Sequence, residues 1–434
     1  MTTQTSAGLL LEHLFRRQAG RMVAHFTGVL GPANLELAEE AVQEALLRAL
    51  ETWPYSGVPE NASAWLFRVA HNAAIDALRR GRRSLSLDSD ESVPAPAGLP
   101  APLRPPDDPY LEEQLRDDEL RMIFMCCHPE ISPEAAIALS LKTVGGFSVR
   151  EIARAFLAEE AAIAQRLVRA KRQIRERHLT LEMPRGAELE QRLDAVLEVI
   201  YCIFNEGYAA HEGEDLIRQD LCEEALRLGF LLASSSITAP RVHALVALMA
   251  FQAARLPART DTSGDLVLLD FQNRGMWDRG LIAIGFYHVE HSMRGDEVSP
   301  YHVEAAIAAT HARAPDAAST DWPLILKMYD QLLAINPSPV VALNRAVALA
   351  KVHGPEEALE TVEPLARNRQ LRDYHLLLAV RGHLLVELGR MEEAAQCFRE
   401  AIEQPCSAPE RRFLTRKLAA CQPTVSRETD IPAR

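Results

Sequence analysis

An all-α fold is what this 434-residue sequence predicts, and two observations carry that reading. Gly contributes only 21 residues while Ala, Leu, Glu and Arg abound, a balance that favours helix almost everywhere. No stretch alternates apolar and polar residues for more than a few positions, so the mark of half-buried strands is missing. Apolar residues make up 48% and charged residues 25%, which is globular rather than disordered composition. The length exceeds one ordinary core and implies roughly two to four domains.

The first helical block covers residues 1–84. Within it Leu37 to Leu46 forms an amphipathic helix whose polar side carries Glu39, Glu40, Gln43 and Glu44. Taken alone, such an acidic face is an ordinary solvated surface. After Trp53-Pro54 comes a turn-rich loop, Tyr55 to Ala62, and then a helix from Ala64 to Arg80. That helix mixes Trp65 and Phe67 with Arg68, His71, Asn72, Arg79 and Arg80. Aromatic and cationic side chains beside a loop suit unstacked single-stranded bases, whose π-faces any aromatic ring can accept. The competing reading places Trp65 and Phe67 in the core, and at least one of them is expected there.

Residues 85–110 are a linker. Seven prolines (Pro94, Pro96, Pro100, Pro102, Pro105, Pro106 and Pro109) remove donors and stiffen the chain. Asp88, Asp90, Glu91, Asp107 and Asp108 leave little that could form a core.

The second block, 111–182, carries the sharpest local signal. Ser132-Pro133 opens a helix that should end by Gly145-Gly146. Ser148 to Glu151 is a capping box, in which the serine accepts from the third helical amide and the glutamate reaches back. Ile152, Ala153 and Phe156 form the buried side of this short helix. A break at Leu157 to Glu160 leads into a helix with Ile163, Leu167, Ala170 and Ile174 on one face. Its other faces carry Gln165, Arg166, Arg169, Lys171, Arg172, Arg175 and Arg177. A capped short helix, a tight turn and a longer basic helix is the layout of a DNA-reading helix-turn-helix. Arg and Lys supply phosphate affinity, and early positions such as Gln165 and Arg166 can reach base edges. The alternative is a helical hairpin whose basic face is merely solvated.

A third block spans 183–315 and a fourth 316–424, with a frayed tail over 425–434. In the fourth, Ala334-Ile-Asn-Pro337 precedes Gly354-Pro-Glu-Glu-Ala-Leu359, and Tyr374 to Leu388 precede Gly389-Arg-Met-Glu-Glu-Ala-Ala395. The repeat is a helix, a Gly-containing turn, a Glu-Glu-Ala start and a second helix, at close to the ~34-residue spacing of TPR units. Stacked pairs of this kind bury one continuous core and present a concave surface.

The first two blocks together resemble the extracytoplasmic-function branch of the sigma-70 family. Glu39-Glu-Ala-Val-Gln-Glu44 and the helix Ala64 to Arg80 are similar to its region 2. Gly146 to Ala153 and Gln165 to Lys171-Arg172 are similar to its region 4. Phe124-Met-Cys-Cys-His-Pro129, Ile203 to Tyr208, Trp277 to Gly280 and Ala305 to His311 resemble the subgroup with a large helical, TPR-like C-terminal extension.

The resemblance implies binding to core RNA polymerase through Glu39, Glu40, Gln43 and Glu44. The Tyr55 to Ala62 loop would capture a flipped −10 base, with Asn61, Trp65, Arg68, Asn72, Asp76, Arg79 and Arg80 as the region 2 contacts to promoter DNA. Region 4 would read the −35 element through Ser148, Arg150, Ala162, Gln165, Arg166, Arg169, Lys171 and Arg172. Leu157 to Glu160 departs from the family, lacking its usual Gly and small polar residues. Glu159 and Glu160 fall instead where a helix N-terminus favours acid.

Other chemistry is not expected. Cys126-Cys127-His128 lacks a second Cys/His pair at chelating spacing, so no metal site is predicted. Glu206 in Asn205 to Tyr208 is read as part of a helix end rather than as an acid or base. No Gly-rich phosphate loop occurs. The chain is thus expected to be no enzyme, to need no cofactor, and to be cytoplasmic. The scattered cysteines, the polar start Met1 to Gly8 and the lack of a membrane-length apolar run support that location. The net charge of −13 leaves room only for local nucleic-acid patches. The extension is expected to regulate the N-terminal half and to offer a site for a protein or small-molecule ligand. The runner-up reading is a stand-alone helix-turn-helix regulator with a TPR-like sensor; the polar-aromatic first block separates the two, because such a regulator has no use for it.

Overall fold

The computed structural model describes residues 18–87, 109–156, 158–209, 216–372 and 374–421. Most of the expected linker, the N-terminal residues, the tail over 425–434 and Leu157 lie outside the described residues. Helices and short 3-10 turns make up its regular structure, and the nearest thing to a sheet among the described residues is one bridge between Thr260 and Leu266. The chain forms two compact units, Met1–Cys202 and Ile203–Arg434.

In the first unit, α1 spans residues 18–30, and after the 3-10 turn Pro32–Asn34 come α2 (Leu35–Ser56) and α3 (Ala62–Leu87). α2 buries a helical stripe of Leu35, Ala38, Ala41, Val42, Ala45, Ala49 and Trp53. Small residues let α2 and α3 approach closely, with Ala41, Ala73 and Ala74 forming one buried cluster. α2 runs on through Pro54 to Ser56, one turn beyond where the proline alone would end it.

α4 (Pro109–Cys126), α5 (Pro133–Thr143), α6 (Val149–Ala155) and α7 (Glu160–Glu176) follow. Ser132 caps α5, accepting from the Ala135 amide. Ser148 and Glu151 form the expected capping box, at 3.1 Å and 2.7 Å. Glu159 occupies the N-cap position of α7 without a side-chain hydrogen bond, so only the field of the helix end favours its charge. α8 (Ala187–Tyr208) begins in this unit, and buried Arg192 donates to the Phe124 carbonyl at the end of α4.

The second unit contains α9 (Gln219–Ala233), α10 (Pro240–Ala253), α11 (Arg279–Ser292) and α12 (Pro300–Arg313). α10 is buried nearly all round and forms the axis against which α9, α11 and α12 pack. α13 (Trp322–Ile335), α14 (Pro339–His353), α15 (Pro355–Val362), α16 (His375–Glu387), α17 (Met391–Glu403) and α18 (Ala408–Ala420) stack in succession. Gly354 and Gly389 take positive φ of 97° and 75° at the two repeat turns, a conformation costly for other residues. A Cβ on Gly382 would fall 2.8 Å from the Phe398 ring, so α16 and α17 need glycine at their crossing.

Side chains of the second unit's motifs make packing and capping contacts. The Arg259 guanidinium lies 3.8 Å from the Tyr208 ring centroid, and Asp278 caps α11. Buried Arg274 donates to the carbonyls of His311 and Ala314 and to Thr320 Oγ1, at 2.7–2.8 Å.

Candidate polymerase and nucleic-acid interface

Each candidate side chain of the first unit is placed by the stripe its helix buries. Because Ala38, Ala41, Val42 and Ala45 face the core, Glu40 and Gln43 emerge exposed. Glu44 is half-buried and bound to Arg48 at 2.5 Å. Glu39 sits at the margin of the stripe and is 9% exposed.

Glu39 Oε2 accepts from Lys171 Nζ at 2.5 Å, and both side chains are largely covered. Its second oxygen, Oε1, is buried with no hydrogen-bond partner among the described residues. Arg175 and Glu36 approach to 4.0 Å beside this pair. A cleft of about 260 Å³ continues the contact, lined by Glu39, Val42 and Gln43 from α2 and by Lys142, Ser148 and Glu151 around the capping box. α1 meets the end of α5 so closely that a Cβ on Gly20 would overlap the Val144 carbonyl. Thus the helix expected to read DNA lies against the helix expected to meet polymerase.

On α3 the aromatics divide. Phe67 is core, ringed by His25 and Phe26 at 5.8 Å and 5.9 Å. Trp65 is half-buried, edge-on to Trp53 at 5.5 Å, which fixes its ring without covering it. Arg68, Asn72, Asp76 and Arg79 are exposed along one side, and Arg79 pairs loosely with Asp76 at 3.8 Å. The Arg80 side chain lies outside the described residues. Asn61 caps α3 by accepting from the Ala64 amide at 2.9 Å. Burial holds His71 below the usual histidine value.

The α2–α3 connection also carries what the residue pattern did not single out. Leu47, Leu50, Tyr55 and Val58 are 58–92% exposed, an apolar patch on the outward side of α2 and the following loop. Leu47 and Leu50 fall off the buried stripe, and that mismatch was the available signal.

On α7, Ile163, Leu167, Ala170 and Ile174 are buried and Ala162, Gln165, Arg169 and Arg172 exposed, while Arg166 is half-buried. Ser148 and Arg150 stand exposed at the start of α6. Arg169, Arg172 and Arg175 present the cationic side of α7 to solvent.

Cys126 and Cys127 are fully buried, with Cys126 Sγ 3.4 Å from Thr143 Oγ1. Burial pushes the Cys126 thiol up to about 12 and raises Cys127 as well, so both remain thiols that pack the α4 end. No cluster of three metal-ligating side chains occurs among the described residues. No helix among them is long and apolar enough to cross a membrane.

Comparison with known proteins agrees with this geometry. Sigma-70 region 2 matches residues 14–84 and sigma-70 region 4 matches 121–174, while a family of unknown function (DUF6596) matches 192–293. An uncharacterized protein of Rhizobium meliloti (strain 1021) is 42% identical over 398 residues, covering 91% of this chain and 93% of its own. With α1 to α3 in the region 2 match and the capped α6–α7 pair in the region 4 match, the chain belongs to the sigma-70 family, as a factor of extracytoplasmic-function type with a C-terminal extension.

Proposed function

We propose that this sigma factor docks on core RNA polymerase through the Glu39, Glu40, Gln43 and Glu44 side of α2, and that the described form is a closed state that must open first. The observation that supports closure is the Glu39–Lys171 contact, which joins one residue of each expected surface. While it persists, Glu39 cannot meet polymerase and Lys171 cannot meet phosphate. The buried, unpartnered Glu39 Oε1 makes closure expensive, since an unsatisfied buried acceptor costs about 1–3 kcal/mol and a charged one more. A state held at that cost is easily displaced by a partner that satisfies both oxygens.

Once open, the loop after α2 and the exposed side of α3 take the separated −10 strand, with Trp65 as a stacking platform and Arg68, Asn72 and Arg79 along the backbone. α7 enters the −35 major groove with Gln165 and Arg166 leading, and Arg169 and Arg172 on phosphate. The C-terminal extension biases the balance between closed and open. Its support is that the Rhizobium relative matches across both halves of the chain rather than the sigma regions alone.

The test is binding of purified chain to core polymerase, comparing the native sequence with Glu40→Lys and with a chain ending at Tyr208, which keeps α8 whole. Docking through α2 predicts at least a tenfold loss for Glu40→Lys, and regulation by the extension predicts a changed affinity for the shortened chain. Equal binding by all three would remove both the docking face and the regulatory role.

A further inference from the structure

The second unit holds a cavity of about 280 Å³ whose walls are almost wholly apolar. Ala350 of α14, Ala379 and Val380 of α16 and Phe413 of α18 form one side. The other is a strap between α10 and α11 that lays Leu266 and Leu268 across the opening. A second cavity of about 230 Å³ shares Leu266, Leu268, Phe413 and Lys417 with the first, so the apolar space is elongated.

The strap is held down. Asp265 accepts from Arg412 at 2.5 Å and from Arg416, both on α18, and Arg412 also donates to the Gly264 carbonyl at 3.1 Å. The Thr260–Leu266 bridge closes its base.

Of the two lysines that line the cavity, Lys351 and Lys417, only the first is paired with a carboxylate among the described residues. Lys351 pairs with Asp270 at 2.8 Å, His383 lies 3.4 Å from Glu387, and His375 lies 3.4 Å from Glu410. Lys417 lines both cavities with its Nζ 5.6 Å from the Phe413 ring centroid, and no carboxylate pairs with it among the described residues. Binding sites for small molecules combine such apolar walls with a few polar groups that fix orientation.

We infer that this cavity binds a small amphiphilic acid, its apolar chain lying between the strap and α14, α16 and α18 and its carboxylate meeting Lys417. An uncharged chain would leave the ammonium unpaired, and a cationic head would meet it as a like charge. Occupancy would tie the strap, which lies within the DUF6596 match, to the repeat helices and so act on the extension as a whole. The inference goes beyond the sigma reading and its test contains neither polymerase nor DNA, so either can fail alone.

The experiment is calorimetric titration of the full chain with octanoate, 1-octanol and octylammonium, three ligands with one apolar body and different heads. Octanoate should saturate one site and bind at least tenfold tighter than the other two. Lys417→Gln, a change on a partly exposed helix face, should erase the advantage over 1-octanol while leaving 1-octanol binding unchanged. Ala379→Trp, which fills the cavity, should abolish binding of all three, with its melting temperature checked beside the native chain. The inference is overturned by no saturable octanoate binding, by octanoate binding no tighter than 1-octanol, or by a full octanoate advantage in Lys417→Gln.

Discussion

Lys171 and Glu39 stand 132 positions apart in the chain, and their side chains meet at 2.5 Å with little of either exposed. One belongs to the sigma-70 region 4 match, the other to region 2. On the proposed reading, the pair locks together a polymerase-docking surface and a DNA-reading one.

Removing the lysine should therefore open the first unit. Lys171→Ala leaves the Glu39 carboxylate covered and unpaired, at a cost of roughly 2 kcal/mol to the closed arrangement. Core polymerase binding, followed by anisotropy of a labelled chain, should strengthen by up to about tenfold, because the competent fraction rises. Unchanged or weaker binding would mean that the contact does not restrain docking.

A wedge at the same seam should act alike without touching a charge. Gly20→Ala places a methyl group against the Val144 carbonyl, which α1 and the end of α5 can accommodate only by separating. Protease sensitivity between residues 88 and 108 and polymerase affinity should both rise, while a double change with Lys171→Ala should add little to either. Full additivity would show that the two contacts restrain different motions.

The exposed cations of α7 should govern the salt dependence of promoter binding. Arg169→Gln and Arg172→Gln should each weaken binding across all −35 sequences and lower the slope of log affinity against log salt by about one. Gln165→Ala should instead relax preference at one base position with the slope kept. Filter binding or anisotropy between 50 and 300 mM salt, of the order usual for such work, separates these outcomes.

Acid should weaken the second unit. Burial, with His243 and His291 beside it, lowers His288 to about 4, and burial near Arg255 and Arg274 does the same to His311. Unfolded histidine titrates near 6.5, so between about 4 and 6.5 the unfolded chain binds more protons and stability rises with pH. The stabilisation is complete above 6.5 and is lost as pH falls toward about 4. Urea midpoints at successive pH values should show this slope, and His288→Phe should flatten it; a slope unaffected by that change would place the acid sensitivity elsewhere.

Local chemistry was legible in the sequence. The Ser148–Glu151 box, the Ser132 cap and the Ile163, Leu167, Ala170 and Ile174 stripe depend on residues within a turn or two of each other, and each forms as its spacing implies. The last turn of α2 was not legible. Pro54 signals a break, yet the helix continues to Ser56 and closes with the Gly57 amide donating to the Trp53 carbonyl at 3.0 Å. The covering of Glu39 could not be read either, because an acidic residue on a polar face carries no sign of a lysine far along the chain. Leu47 and Leu50 could be told from core residues only by their place off the buried stripe, because in an Ala- and Leu-rich helix a leucine by itself carries no sign of exposure.

Arg274 sets a limit on how the extension can be recombined. Its guanidinium reaches back to His311 and Ala314 on one side of residue 315 and to Thr320 on the other. A chimera joined at that point, grafting foreign repeats onto this helical segment, would strip a buried cation of an acceptor and forfeit about 1–3 kcal/mol. The α9–α12 segment and the repeats are therefore a single cassette for protein engineering, to be exchanged whole or with Thr320 carried along.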